Sequence, residues 1–372
     1  MKRVVIATQR PWEIIPQYPD HSIMIVNPKA PGDRYQYLID SSDYSLLHTD
    51  TGVTSRQGAD YPGERILLYT SGTTGDSKFF GFTQAQLDTI CEVMKKSYEL
   101  TAQDRYYGVM PMWHAHGHIM YWASVKAGVE CAFGTPQNLK ALETFQPTYV
   151  SAVPRVLKAM LKLDLKHLRF VRSASAPLSQ ELHDTLQDKF GVPVIEAFGM
   201  TEAVSHCFTN PLHGERRINT VGLPDGIEAR VDEHEHLWIK GPCVHRPNEW
   251  IDTGDLATVD DKGYYTIKGR SVDQINVHGI KVNPQSLEKQ CLAQFQDIQQ
   301  VVVYGKDRVK VIYVGEAPEQ DVSKWFASLG AHCRPENVEK VDEIPVNDTG
   351  KISRTMLQSR DMEILQGINW TG

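Results

Sequence analysis

The run Ile66-Leu67-Leu68-Tyr69-Thr70-Ser71-Gly72-Thr73-Thr74-Gly75-Asp76-Ser77-Lys78 decides how this chain is read. A short apolar strand enters a loop of glycines and hydroxyls that ends in a lysine. Glycines let backbone N–H groups turn inward around phosphate oxygens, and hydroxyls add further donors. The lysine contributes a positive charge. The pattern reads as a polyphosphate cradle on a strand-to-loop turn, which implies a nucleotide triphosphate. It is not a Walker A loop, in which Gly and Lys are adjacent, because Asp76 and Ser77 separate Gly75 from Lys78. The competing reading of the loop alone is a surface connection of small residues.

Composition narrows the class. The chain has 372 residues, enough for two or three cores, with 41% apolar and 23% charged residues. Its formal net charge of −7 gives no basic footprint for nucleic acid or an anionic membrane. The apolar run Val4-Val5-Ile6-Ala7 is too short for a leader, and no stretch approaches the ~20 apolar residues of a membrane span. The six cysteines (Cys91, Cys131, Cys207, Cys243, Cys291, Cys333) are scattered without a C-x-x-C pair. They predict reduced thiols and a cytoplasmic location.

Outward from the loop, strand-like and helical runs alternate between residues 84 and 200. Strands are expected at Tyr106–Val109, Val129–Phe133, Tyr149–Val153, Phe170–Ser173 and Val192–Phe198. Helices are expected at Gln84–Leu100, Asn138–Phe145, Pro154–Leu163 and Ser179–Phe190. This alternation predicts an α/β domain with a largely parallel, helix-covered sheet, whose ligands sit at the carboxyl ends of strands. Residues 219–268 change to short antiparallel strands, a small β subdomain. After Gly269-Arg270 an α+β pattern returns, with a hairpin over Ile298–Tyr304 and Val309–Gly315 and helices near Asn283–Gln294 and Gln320–Leu329. The boundary is placed near Arg270–Asp273, giving a large domain over 1–270 and a small mobile one over 271–372.

Four further segments carry chemistry. Ala197-Phe198-Gly199-Met200-Thr201-Glu202 sets an aromatic ring, a glycine turn, a hydroxyl and a carboxylate at a strand end. The ring suits a nucleobase, the threonine a phosphate and the glutamate Mg²⁺. Trp250-Ile251-Asp252-Thr253-Gly254-Asp255 places a carboxylate after a Thr-Gly turn, suited to ribose hydroxyls. Gly269-Arg270 offers a bidentate donor, and Asp348-Thr349-Gly350-Lys351 presents a lysine from a turn. Each alone is a common turn.

In this order, over residues 23–358, they resemble the adenylate-forming superfamily: acyl- and aryl-CoA synthetases, the adenylation domains of peptide synthetases, and luciferases. Asn27–Ser41, Pro147–Pro154 and Arg172–Leu178 are similar to further core stretches of that family. The resemblance implies that a carboxylate attacks the α-phosphate of ATP, giving acyl-AMP and pyrophosphate, and that a thiol or amine then takes the acyl group. It assigns Thr70, Ser71, Gly72, Thr73, Thr74, Gly75 and Lys78 to the β- and γ-phosphates. It assigns Thr201, in the Gly199-Met200 turn, to the α-phosphate and Glu202 to Mg²⁺. Phe198 and the Ser173–Ala176 backbone, with Ser175 and Ala176, would flank adenine. Asp255 and Arg270 would hold ribose, Lys351 would bridge carboxylate and phosphate, and Gly279 would admit the acceptor. Coenzyme A is the favoured acceptor, with a carrier-protein phosphopantetheine or an amine as the alternative. A non-catalytic nucleotide-binding protein is the reading from another class.

The chain departs from the family in places. Only about 70 residues precede the first loop, so a compact, N-terminally shortened form is expected, with a second copy of the chain as a candidate partner. Val272 stands where the family usually has Asp or Lys at the hinge, with Asp273 one further on. Asn276 stands where a lysine is common.

Met110-Pro111-Met112-Trp113-His114-Ala115-His116-Gly117-His118 matches the family's Pro-x-x-His-x-x-Gly segment beside the acyl pocket, with His114 as its histidine. No acid occurs from Tyr106 to Lys126 to hold an α-ammonium, so an acid without an α-amine is expected. Trp113, Met112 and Val204 favour an aryl or small apolar acid. His114, His118 and His206 would either address a ring hydroxyl or close the pocket mouth. Alternate histidines on a strand, and Asp232–His236, offer weaker metal readings.

Overall fold

Thr83 and Gln86 show how local chemistry sets the frame. The Thr83 hydroxyl accepts from Gln86 N–H at 3.2 Å, and Gln86 Oε1 accepts from Thr83 N–H at 2.9 Å. This capping box closes off a strand and starts a helix in a single step. The structure, a computed structural model, describes residues 1–30, 32–70, 77–345 and 354–365. The chain divides into two compact units: Met1–Arg230 with Trp238–Thr253 and Val259–Thr266, and Val231–Leu237 with Gly254–Thr258 and Ile267–Gly372.

The first unit begins with six strands: β1 (Arg3–Ala7), β2 (Ser22–Ile25), β3 (Leu46–Thr49), β4 (Gly52–Ser55), β5 (Glu64–Thr70) and β6 (Lys78–Thr83). Their order is β4-β3-β1-β2-β5-β6. β1 pairs parallel with β2 and β3, and β2 with β5. The pairs β3/β4 and β5/β6 are antiparallel hairpins. The apolar run at residues 4–6 is therefore a central strand, with Val4, Val5 and Ile6 wholly buried.

A second sheet holds β7 (Arg105–Gly108), β8 (Glu130–Phe133), β9 (Tyr149–Ala152), β10 (Phe170–Ala174) and β11 (Val194–Phe198), then β12 (Phe208–Thr209) and β13 (Leu223–Pro224). The order is β13-β12-β11-β10-β9-β7-β8, parallel from β8 through β11 and antiparallel beyond. Helices α1 (Pro11–Ile14), α2 (Gly32–Ser41), α3 (Gln84–Ser97), α4 (Ala115–Lys126), α5 (Ala141–Phe145), α6 (Pro154–Met160) and α7 (Gln180–Phe190) accompany these sheets. β9 and β10 are buried along their whole length, as strands covered on both faces must be. The expected α/β class with a parallel sheet is what the structure has.

Strands β14 (Glu228–Val231), β15 (His236–Lys240), β16 (Ile251–Val259) and β17 (Tyr265–Arg270) follow one another in a four-stranded sheet. The stretch read as a Thr-Gly turn lies inside β16, which stays extended because only Gly254 takes a left-handed φ of +72°.

The second unit continues with a two-stranded hairpin, β18 (Ile275–Val277) and β19 (Ile280–Val282), then α8 (Pro284–Gln294). A three-stranded sheet of β20 (Ile298–Tyr304), β21 (Val309–Gly315) and β22 (Pro335–Lys340) follows, with α9 (Glu319–Ser328) and α10 (Arg354–Leu365). Its core joins Leu287, Val303, Val311, Tyr313 and Phe326. Among the described residues no helix is long and apolar enough to cross a membrane.

Candidate active site

The first-loop lysine is placed by a hairpin. β5 and β6 pair so that Thr70 lies directly opposite Lys78, with Tyr69 against Phe79 and Leu68 against Phe80. Ser71, Gly72, Thr73, Thr74 and Gly75 lie outside the described residues. Their two flanks are thus held side by side, with Lys78 exposed at the mouth. Ser77 beside it is buried, and its hydroxyl accepts from Arg34 of α2.

The second loop leaves β11 at Phe198 and returns on β12, where Phe208 pairs with Phe198. Between them the chain folds tightly. Thr201–Ala203 form a 3-10 turn, Ser205 N–H donates to Met200 O at 2.8 Å, and Val204 and Ser205 take φ of +51° and +64°. Gly199 is needed here: a Cβ on it would stand 2.0 Å from Ser205 O. This turn packs on β5, which brings Thr201 and Glu202 to the strand that ends in Thr70. Both side chains are half-buried. β10 runs parallel beside β11 with Ala174 level with Ala197. Half-buried Ser175 and exposed Ala176 therefore leave the sheet at the same edge as Phe198. The carboxyl ends of β7, β10 and β11 share this edge, the usual place for a ligand on a parallel sheet.

The segment after β7 corrects one sequence expectation. His114 is the N-cap of α4, and His116 and His118 lie within that helix rather than on a strand. Residues two apart on a helix do not share a face, so the His116 ring diverges from that of His118. Gly117 is where α4 meets the preceding turn: a Cβ there would stand 2.3 Å from Pro111 O. His118 is 1% exposed, its Nε2 has no hydrogen-bond partner among the described residues, and burial pushes it down to about 4. It is a core residue. His206, also wholly buried, is engaged by Asp225 and Arg172. Neither of these two histidines is placed to meet a substrate hydroxyl, whereas His114 remains half-buried at the head of its helix.

Arg172, which opens the Arg172–Leu178 stretch, is 1% exposed on β10, a placement that no motif signals. Its Nε donates to Tyr98 Oη at 2.9 Å, Nη1 to Ser151 Oγ at 3.1 Å and to His116 Nε2 at 3.2 Å, and Nη2 to His206 Nδ1 at 3.4 Å. Nε2 of His206 then donates to Asp225 Oδ2 at 2.7 Å. Burial and the nearby Arg172 charge hold His206 below the usual imidazole range, against the pull of Asp225. Burial raises Asp225, but the His206 hydrogen bond and charge, with Ser97 and Arg172, bring it below the ordinary carboxylate value. The triad is a guanidinium and a carboxylate separated by a neutral ring. The signal that would have found it is a lone arginine in a short, otherwise uncharged strand between helices.

In the second unit Asp255 is 4% exposed and lies 3.5 Å from Arg270 Nη1, and Arg270 is half exposed. Gly254 permits this approach, since a Cβ there would lie 3.1 Å from Arg270 Nη2. Gly279 and His278 have φ of +88° and +50°, the two positive values of a two-residue hairpin turn, and Asn276 Oδ1 accepts from Gly279 N–H at 2.9 Å. Asp273 is taken by Arg354 at 3.2 Å, whereas Val272 beside it is 74% exposed. Lys351 lies outside the described residues.

No group of three His, Cys, Asp or Glu among the described residues is placed to hold a metal by itself. A single carboxylate such as Glu202 suits Mg²⁺, which takes one or two protein oxygens and completes its shell with phosphates and water. A small cavity of about 30 Å³ lies against Trp12, Met110, Met112, Trp113 and Phe133, the apolar side of the α4 entrance. A larger cleft of about 340 Å³ is lined by Ser97, Thr209, His213 and Asp225 and includes none of the motif residues.

Known proteins resemble this chain along most of its length. The family described as AMP-binding enzyme matches residues 64–246. The oxalate–CoA ligase of Arabidopsis thaliana is 27% identical, over 88% of this chain and 71% of its own length. The sulfoacetate–CoA ligase of Cupriavidus necator is 28% identical, over 78% of this chain and 66% of its own length. Among solved structures, ATP-bound MatB from Rhodopseudomonas palustris superposes with a TM-score of 0.85 at 22% identity, over 98% of this chain and 89% of that one. That likeness shows the fold.

Proposed function

Because this chain belongs to the adenylate-forming superfamily of AMP-binding enzymes, we propose that it activates a carboxylic acid with ATP and passes the acyl group to coenzyme A. The observation that carries this reading is the convergence in the first unit: Thr70 opposite Lys78, and the loops of Ser175 and of Phe198–Glu202 at one sheet edge. The relatives named above are ligases of acids to coenzyme A, which supports the choice of acceptor.

In the first step a carboxylate oxygen attacks the α-phosphorus and the bond to the β-phosphate oxygen breaks, releasing pyrophosphate. Two anions meet, so donors and cations must offset the charge. Lys78, Thr70 and the residues 71–75 between them hold the β- and γ-phosphates. Thr201 contacts the α-phosphate, Phe198 with Ser175 and Ala176 flanks adenine, and Asp255 with Arg270 holds ribose. Bound at Glu202, Mg²⁺ would lower the charge on the phosphates. Lys351, from the domain over 271–372, bridges carboxylate and α-phosphate. In the second step the thiol sulfur attacks the acyl carbon, AMP leaves, and the thiol proton is lost. Gly279 borders the path of the thiol.

His114 and the apolar residues Met110, Met112, Trp113 and Phe133 favour an aryl or small apolar acid. Delivery to a carrier-protein phosphopantetheine or an amine is the second reading, favoured by Asn276, whose side chain closes its own hairpin. The test is pyrophosphate release from Mg-ATP with benzoates, short aliphatic acids, oxalate and sulfoacetate, then addition of coenzyme A or carrier protein. Release with at least one acid, followed by thioester formation with coenzyme A, is expected. A folded protein that binds ATP but releases no pyrophosphate with any acid would be a nucleotide-binding protein instead. Lys351→Ala should lower acyl-AMP formation by about a hundredfold while ATP still binds; undiminished formation would refute that role.

A further inference from the structure

Arg172 is a buried cation whose hydrogen bonds and ion pairs, among the described residues, include no carboxylate. A guanidinium keeps its protons and can only donate. His116 Nε2, 3.2 Å from Arg172 Nη1, must therefore present its lone pair, and the Ser151 hydroxyl at 2.8 Å is compatible with this only as a donor. A neutral imidazole with a bare Nε2 carries its proton on Nδ1. That nitrogen lies 3.1 Å from Ser175 Oγ, so His116 donates to Ser175.

Ser175 is the residue that needs such a hold. It follows β10 with φ of +71°, a left-handed conformation that serine rarely adopts and that persists where neighbours over-determine it. The wall behind it is rigid: His116 is 4% exposed, Ser151 is wholly buried, and both are tied to the same guanidinium. The Arg172 end is fixed in turn by Tyr98 and by the His206–Asp225 pair.

We propose that Arg172 is a positioning residue for the nucleotide loop: it fixes the His116 tautomer, and the His116 Nδ1–H holds Ser175 in the left-handed turn that shapes one wall of the adenine pocket. This rests on the adenylation reading, which places the 173–176 loop beside adenine. A merely structural role for Arg172 would change stability alone. A positioning role also sets the affinity for ATP and can be rescued by any group that supplies the same donor, or by a backbone that does not need it.

The experiment uses the full chain, labelled with ¹⁵N-histidine, together with pyrophosphate-release kinetics. In the wild type the His116 signal should show Nδ1 protonated and Nε2 bare. His116→Leu should raise KM for ATP about tenfold with kcat within about threefold, the signature of lost ground-state binding. His116→Asn, whose amide nitrogen occupies the Nδ1 position, should restore KM to within about threefold of wild type. Ser175→Gly should make His116→Leu nearly silent, because glycine takes positive φ without help. The His116 and Ser175 substitutions keep the buried arginine in place, so the test does not depend on an Arg172 variant that folds. An Nε2-protonated His116 in the wild type would overturn the assignment. A KM for ATP unmoved in folded His116→Leu would overturn the positioning role. Failure of the wild-type protein to bind ATP would overturn the adenylation reading and the role with it, and the tautomer would then stand or fall on the NMR signal.

Discussion

His118 puts a titratable ring where its charged form is not tolerated. It is 1% exposed in the first unit, and its Nε2 has no partner among the described residues. Burial lowers its pKa from 6.5 to about 4, against a hydrogen bond to the Met112 backbone that acts in the opposite sense. The folded state therefore binds fewer protons than the unfolded chain between these values. The stability this residue contributes is complete above about pH 6.5 and is lost as pH falls toward 4. Between pH 7.5 and 5 the loss is about 2 kcal/mol. His206, also held below its usual value, acts in the same direction. We expect urea unfolding of His118→Leu to show a pH dependence shallower than wild type by about that amount. Parallel curves for the two proteins would show that the ring is reached by solvent. Nothing in the spacing of His114, His116 and His118 separated the half-buried N-cap from the two buried rings, because burial is set by what α4 packs against.

At the scale of elements, legibility followed periodicity. Strands β7, β9, β10 and β11 were readable because they are short apolar runs between amphipathic helices α3, α6 and α7. α4 was not, since Ile119, Met120, Tyr121, Trp122 and Ala123 are all buried and an all-round apolar helix has no polar face to mark its turn. β16 was missed for a different reason. Thr-Gly-Asp is turn chemistry, but Gly254 takes its positive φ within a strand. The candidate residues were legible as motifs, while Arg172, Ser151, Tyr98 and Asp225 were not, because their partners lie on other elements and no spacing within one segment signals them. Gly117 tests the α4 packing directly. A Cβ there would meet Pro111 O at 2.3 Å and Met110 O at 2.5 Å, both backbone atoms that cannot swing aside. Gly117→Ala should cost about 2–3 kcal/mol, read as a lower urea midpoint at unchanged m-value. A midpoint within error of wild type would mean that the Met110–Pro111 turn yields freely.

At the scale of the molecule, the proposed reaction asks two arrangements of one chain, one for adenylation and one for thiol attack. Such a change is absorbed by a few residues at an element end. Arg270–Val272 are suited to this. Arg270 is extended (φ −84°, ψ 137°), Ser271 opens a 3-10 turn, and the Val272 side chain is 74% exposed, whereas the next residue, Asp273, is tied to Arg354. Proline at 271 matches what is observed, because it fits the first position of a turn and an extended residue before it. It also removes the freedom of that φ. Ser271→Pro should therefore leave one half-reaction within about threefold of wild type and slow the other by at least about tenfold, a barrier increase of about 1.4 kcal/mol. Single-turnover pyrophosphate release and thioester formation from preformed acyl-AMP read the two steps separately. Loss of the hydroxyl is controlled by Ser271→Ala, which breaks the same 3.2 Å bond to Gly254 O without fixing φ. If Ser271→Pro and Ser271→Ala run both half-reactions alike, the change of arrangement does not pass through this turn.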